Sequence, residues 1–257
     1  MPDQNNQFTA VARIYDDLMH GIAYRYWVRY IRQLWKQRGC HPRTVLDVAC
    51  GTGNVSFILT EEGYQVTGVD ISHEMIAIAN QKLAERKKRS LTPDPVFYCQ
   101  DACQIDLGCT FDTVISLFDS LNYITDPASL AEAFRRTLHH LEPGGVFLFD
   151  MNTEYALREG FFDQDNLSEN RYPKYQWKSI YDSGSKLCRI DMRFEALDEA
   201  TGQVQEFWET HFQRSYSLPE LTSMLQEAGF RDIQFYHAYS SKKPRAKTDR
   251  IYTVCQR

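Results

Sequence analysis

The stretch Val45-Leu46-Asp47-Val48-Ala49-Cys50-Gly51-Thr52-Gly53-Asn54 decides how the rest of the chain is read. An apolar, β-branched run stops at two glycines, and a helical pattern begins after them. This is the pattern of a buried parallel strand that feeds a tight turn and then a helix. Glycine at 51 and 53 permits a sharp turn and a close approach of ligand to backbone, because no Cβ intervenes. The following helix offers free N–H groups and the positive end of its dipole at the same place. A second apolar run closes on Gly68-Val69-Asp70. A carboxylate at that strand tip is placed to accept both hydroxyls of a ribose, each hydrogen bond contributing about 1.5–3 kcal/mol. Strand, glycine turn, helix, strand and acid form the skeleton of a nucleoside-binding βαβ unit.

A dinucleotide is disfavoured. The fingerprint G-x-G-x-x-G needs a third glycine where this chain has Ser56, and Asp47 lies inside the strand. The pyrophosphate cradle is therefore incomplete. A nicotinamide dehydrogenase is disfavoured on the same ground.

Composition sets the outer limits. The 257 residues are 43% hydrophobic and 25% charged, ordinary globular usage and enough for one large domain or two small ones; the expected organisation is a single domain over 1–257. The net charge of −5 disfavours a nucleic-acid groove, which needs a basic balance. Seven cysteines, with no C-x-x-C, read as free thiols in a reducing cytoplasm and not as disulfides or a zinc site; no metal is expected. No segment reaches 18 apolar residues, so no membrane span is expected.

Taken in order, residues 1–7 are polar and expected to fray. Residues 8–38 form a helical cap dense in aromatics, split near Gly21. The 44–150 core then runs as alternating strands and helices: helix 54–62, strand 65–70, helix 73–88 capped by Ser72, strand 96–100, strand 111–117 and a helix opened by Asp126-Pro127. The basic run Arg86-Lys87-Lys88-Arg89 reads as cations complementing a helix C-terminus. His139 and His140 close the next helix, as solvated imidazoles. Glu142-Pro143-Gly144-Gly145 reads as a turn before a fifth strand, 146–150. Residues 171–215 alternate in three runs broken by turn residues, an antiparallel insertion expected to cover the sheet's carboxyl edge. Ser217-Leu218-Pro219-Glu220 is a capping box opening the final helix, and two strands finish the 216–257 segment.

Asp-x-Ala-Cys-Gly-Thr-Gly (47–53) resembles the first motif of class I S-adenosylmethionine (SAM) methyltransferases. Asp70, Asp101-Ala102, Phe111–Asn122, the Glu-Pro-Gly-Gly stretch and Ala-Gly-Phe (228–230) extend the likeness. Glycine N-methyltransferase, aminosugar N,N-dimethyltransferases and uncharacterised bacterial small-molecule methyltransferases are the similar groups. The resemblance implies an α/β, Rossmann-like seven-stranded sheet with one reversed terminal strand. It implies SAM as cofactor, with Ala49, Gly51 and Gly53 at the methionyl part, Asp70 on the ribose, and Asp101 and Ala102 flanking adenine. Leu117 and Ser120 would lie near the methionyl arm, Tyr15 would pack on SAM, and Arg25 would meet its carboxylate. The chain departs from glycine N-methyltransferase where Asn152 replaces a carboxylate-gripping arginine and Asp119 replaces an asparagine, so glycine is not the expected acceptor.

The expected function is therefore methyl transfer to a small molecule, most directly an amine. Asp119 is the candidate for orienting or deprotonating it; a strand-end aspartate that merely caps the next turn is the plainer reading. Tyr123, Asn152, Trp177, Arg193 and Arg250 are further substrate candidates. A tRNA or protein methyltransferase, or a non-catalytic SAM-binding regulator, remains open, as does the choice between monomer and homodimer.

Overall fold

The computed structural model describes residues 7–87, 94–198 and 201–257. Its larger sheet has seven strands: β1 (Thr44–Val48), β2 (Gln65–Asp70), β3 (Val96–Cys99), β4 (Phe111–Ser116), β5 (Leu141–Asn152), β10 (Arg231–His237) and β11 (Arg250–Gln256). The order is β10-β11-β5-β4-β1-β2-β3, parallel except for β11, which runs antiparallel to both neighbours.

Two-sided burial explains the continuous apolar runs of these strands. In β5, Phe147, Phe149 and Met151 enter one core, while Val146 and Leu148 enter the other. The first core is closed by α5 (Pro127–His139) and α7 (Leu218–Ala228), the second by α2 (Tyr24–Gln37) and α3 (Asn54–Glu61). The period-2 alternation of a strand forces this division. Both caps form as their residues dictate: Asp126 accepts the Ser129 N–H, and Ser217 and Glu220 form a reciprocal box.

α4 (His73–Lys87) packs Ile76, Ala79 and Leu83 on Phe57 and Phe97. Phe97 lies directly over Gly68 in β2. A Cβ at 68 would sit 2.7 Å from the Phe97 ring and 2.8 Å from Cys50 Sγ. Gly68→Ala is expected to lower unfolding free energy by about 1–3 kcal/mol in a urea titration; an unchanged midpoint would mean that Phe97 yields freely.

The smaller sheet is antiparallel, β6 (Gln164–Asp165), β7 (Lys174–Asp182), β8 (Leu187–Leu197) and β9 (Val204–Arg214). Cys188, Ile190, Met192 and Phe194 of β8 pack on Val11, Ile14 and Leu157, which joins this sheet to the N-terminal segment and to α6 (Glu154–Arg158). The sheet thereby roofs the carboxyl edge of the larger one.

Several local expectations differ from the structure. Glu142-Pro143-Gly144-Gly145 is a bulge inside β5: the register with β4 passes from Phe111↔Leu141 to Thr113↔Val146, and three exposed residues absorb the slip. His140 is buried, not solvated; its Nε2 accepts the Leu107 N–H at 3.0 Å. Gln7 is also buried, and its Oε1 accepts the Phe212 N–H at 3.1 Å. The cap is a 3-10 turn (Val11–Ile14), α1 (Tyr15–Leu18) and α2. Of the basic run, Arg86 pairs with Glu61 at 2.9 Å, while Lys88 and Arg89 lie outside the described residues. No helix among the described residues is long and apolar enough to cross a membrane.

Candidate active site

A cavity of about 520 Å³ lies between the carboxyl tips of β1, β2 and β4, the helical cap and the roof sheet. Its floor is the turn after β1. Ala49 and Gly51 there take left-handed φ values of +59° and +55°. Asp70, half-buried at the tip of β2, is locked to that turn. Its Oδ2 accepts the Gly51 N–H at 2.8 Å, and its Oδ1 accepts the Ser72 N–H at 2.9 Å. Burial pushes its pKa up, and those N–H donors pull it back. A Cβ at Gly51 would meet no protein atom within 4 Å, so it would project into the cavity itself.

Ser56 has a structural task that explains why no third glycine stands there. Its hydroxyl donates to Asp47 Oδ2 at 2.5 Å, deep behind the turn. Burial pushes Asp47 up to about 7, against the pull of that hydrogen bond and with a further push from Asp70. A carboxyl whose folded pKa is raised stabilises the fold fully below its unfolded value. That contribution is lost as pH rises through the folded one. Asp47→Asn is therefore expected to flatten the decline of stability between about pH 4 and 7. Urea midpoints read across that range check it; parallel curves for both proteins would refute it.

Asp101 and Ala102 follow β3 and line the cavity, with Asp101 Oδ1 accepting the Cys103 N–H at 2.8 Å. Beyond β4, Leu117 lines the wall, and Phe118 and Asp119 are left-handed in succession, with φ +67° and +50°. Asp150 holds this corner by accepting the Phe118 N–H at 2.7 Å and the Asp119 N–H at 3.3 Å. Ser120 opens a 3-10 turn through Tyr123.

Arg250, entering from β11, bridges the two acids. Its Nη2 donates to Asp119 Oδ1 at 2.6 Å and its Nη1 to Asp150 Oδ2. Burial pushes the guanidinium down, but Asp119 and Asp150 outweigh it and hold the pKa above its ordinary value. Asp150 is pushed up by burial, with Arg250 opposing. Gln213 of β9 donates to Asp119 Oδ2 at 2.6 Å and accepts from Asn152 Nδ2 at 3.0 Å. Both Asp119 oxygens are thus engaged. Tyr123, kept protonated by burial and by Asp119, adjoins the same cluster.

Of the residues expected here, Tyr15, Ala49, Gly51, Asp70, Asp101, Ala102, Leu117, Asp119, Ser120, Tyr123, Asn152, Trp177 and Arg250 line this cavity. Three do not. Arg25 is exposed and pairs with Glu61 at 2.5 Å. Arg193 pairs with Glu195 and Glu206, both at 2.6 Å, on the outer side of β8. Gly53 lacks a Cβ for packing, since one would stand 2.7 Å from the Phe97 ring. In the cap, Tyr24 and Trp27 reach the cavity, while Tyr30 and Trp35 are core. Sequence reasoning passed over Glu209 and His211, buried on β9, with His211 in the cavity wall. Their signal was a polar residue at every second position: Glu209, His211, Gln213.

Comparison with known proteins fits this geometry. Residues 45–145 match the family model described as a methyltransferase domain. A Bacillus subtilis protein named as a methyltransferase, YqeM, is 30% identical over 97% of both chains. The chain belongs to the SAM-dependent methyltransferases. A Streptomyces venezuelae aminosugar N,N-dimethyltransferase is 26% identical, covering 78% of this chain and 81% of its own. Rat glycine N-methyltransferase is 33% identical over 59% of each chain. A solved SAM-dependent methyltransferase from Clostridium acetobutylicum superposes with TM-score 0.82 at 28% identity, over 95% of this chain and 96% of that one. The methyltransferase thus has SAM as its cofactor, and the turn–acid cradle is chemically fit for it: a carboxylate presented to the cavity, and open space in front of Gly51.

Proposed function

We propose that this methyltransferase acts on the nitrogen of a small amine. The observation that carries the reading is charge. Two carboxylates, Asp119 and Asp150, share one guanidinium, and Arg250 is the one lysine or arginine among the described residues lining the cavity. An anionic acceptor finds no free lysine or arginine among the described lining residues; an ammonium finds the net negative charge of the Asp119–Asp150–Arg250 cluster and aromatic faces. The relatives named for N-methylation support the same choice.

SAM supplies an electrophilic methyl group on a sulfonium. In this reading Asp70 holds the ribose hydroxyls, Ala49 and Gly51 the methionyl part, and Asp101 and Ala102 the adenine. Leu117, Ser120 and Tyr15 close around the reacting end. Asp119 draws the amine in and orients it, since alignment contributes much of the rate in such displacements.

Calorimetry with SAM, followed by an amine library scored by release of S-adenosylhomocysteine, tests this. Turnover confined to amines is expected; turnover only with alcohols or carbon acids would end the reading. SAM binding without any small acceptor would favour an RNA or protein target, or a regulator. With an accepted amine, Asp119→Asn should lower kcat/KM by about 10–100-fold, one charge-assisted contact, while SAM affinity holds.

A further inference from the structure

β9 inverts the usual polarity of a covering strand. Trp208 is 64% exposed, whereas Glu209, His211 and Gln213 point inward and are buried. Gln213 belongs to the Asp119 cluster, but Glu209 and His211 form a pair of their own. Glu209 Oε2 lies 2.8 Å from His211 Nε2. The same carboxylate accepts the Val11 N–H at 2.8 Å and the Phe8 N–H at 3.2 Å. Burial pushes Glu209 up, but His211 and these backbone donors outweigh it and keep it ionised below its ordinary range. An ionised Glu209 accepts the Nε2–H at 2.8 Å, which outweighs the longer 3.4 Å approach of the Phe8 N–H to the same nitrogen, and so leaves the imidazole lone pair on Nδ1. Nδ1 has no hydrogen-bond partner among the described residues. The ring is wedged between Phe8 and Tyr123, with centroids 4.5 and 5.6 Å away, and it lines the cavity. A base facing a reaction chamber, with an acid fixing its tautomer from behind, is the arrangement general-base catalysis requires.

We propose that His211, oriented by Glu209, accepts the proton that the methyl acceptor gives up. This rests on the methyl-transfer reading and deepens it. The acceptor's lone pair forms the bond to the methyl carbon as the carbon–sulfur bond breaks, its electron pair staying on sulfur. The proton released from the acceptor goes to Nδ1, Glu209 stabilises the imidazolium, and water later carries the proton off. Asp119 is less free for this task because Arg250 and Gln213 already occupy its oxygens. The charged and titratable groups around the ring are Glu209 on its own strand, Tyr123 from the turn after β4, and beyond Tyr123 the Asp119–Arg250 pair. Burial and the nearby Asp119 keep Tyr123 protonated.

The test uses binding, and so needs no knowledge of the acceptor. Sinefungin carries an amine-bearing carbon where SAM has its methyl sulfonium, and S-adenosylhomocysteine carries a neutral thioether sulfur there. Calorimetry of the full chain with both ligands from pH 8 to 5.5 should show the sinefungin-to-S-adenosylhomocysteine Kd ratio rising roughly tenfold or more, as imidazolium comes to face ammonium. In His211→Asn the ratio should stay flat, with S-adenosylhomocysteine affinity unchanged. A flat ratio in the unsubstituted chain, or the same rise in His211→Asn, overturns the proposal. If that variant does not fold, the His211 ring-nitrogen shifts of the unsubstituted chain are read with and without sinefungin. The ammonium must lower the midpoint, and an unmoved midpoint overturns the proposal equally. Failure of both ligands to bind the unsubstituted chain would instead strike at the cofactor site.

Discussion

Asp70→Ala is expected to weaken SAM and S-adenosylhomocysteine alike, by about 10²–10⁴-fold in Kd. The carboxylate spends part of its hydrogen-bonding capacity on Gly51 and Ser72, which fixes its orientation, and keeps the rest for the cavity. On the proposed cofactor reading, two ribose hydroxyls donating to it would contribute about 3–6 kcal/mol together, at about 1.5–3 kcal/mol each. Both ligands carry the same ribose, so the loss must be equal for the two. A loss confined to SAM would place the acid near the sulfonium instead. Asp70→Lys should exceed Asp70→Ala, because it adds a cation where a charge-assisted bond was made. Melting of the free protein is the control, since the Gly51 and Ser72 N–H groups can turn to cavity water. Equal Kd values in variant and parent protein would remove the basis for the cofactor assignment at the first three strand tips.

Asp70 was legible because everything that places it is local. A glycine turn ending one apolar run and an acid ending the next define a strand–turn–helix–strand unit without outside information. The caps at Asp126 and Ser217 were legible for the same reason, each being one side chain bonded to an N–H three residues on. Glu142-Pro143-Gly144-Gly145 misled because its residues suit a turn and a bulge equally, and only the register against β4 chooses between them. Arg25 and Arg193 misled because an arginine's direction is set by which carboxylate lies within reach, Glu61 or Glu206, and those pairings are tertiary. The meander's alternation was legible, but its inward face was not. Hydrophobicity alone would put Trp208 inside, where the structure buries Glu209 and His211. That inversion marks a strand whose inner side carries hydrogen-bonded polar groups, with His211 among them in the cavity wall.

Arg250→Met should lower unfolding free energy by about 3–5 kcal/mol at pH 7, the largest stability effect expected of a single change in the site. Arg250 and Asp119 are 131 residues apart in sequence and meet over a 2.6 Å contact in which Asp119 is 4% exposed. Asp150, 1% exposed, takes the other arm of the guanidinium. Removing the cation strands two buried carboxylates beside each other, with Gln213 and two backbone N–H groups as the donors left to them among the described residues. The penalty must depend on pH in one direction. Asp150 already sits above its ordinary value because of burial, and losing Arg250 removes what opposes that rise. A carboxyl with a raised folded pKa favours the folded state most when protonated, and this contribution drains away as pH climbs through that pKa. The gap between variant and parent protein should therefore narrow from pH 7 to pH 5. Adding Asp150→Asn to Arg250→Met should recover part of the loss at pH 7, because the amide can still accept the Phe118 N–H while the second charge is gone. A gap that stays constant on acidification would show that Arg250 contributes through packing on the Phe118 ring, 5.8 Å away, and not through the two acids.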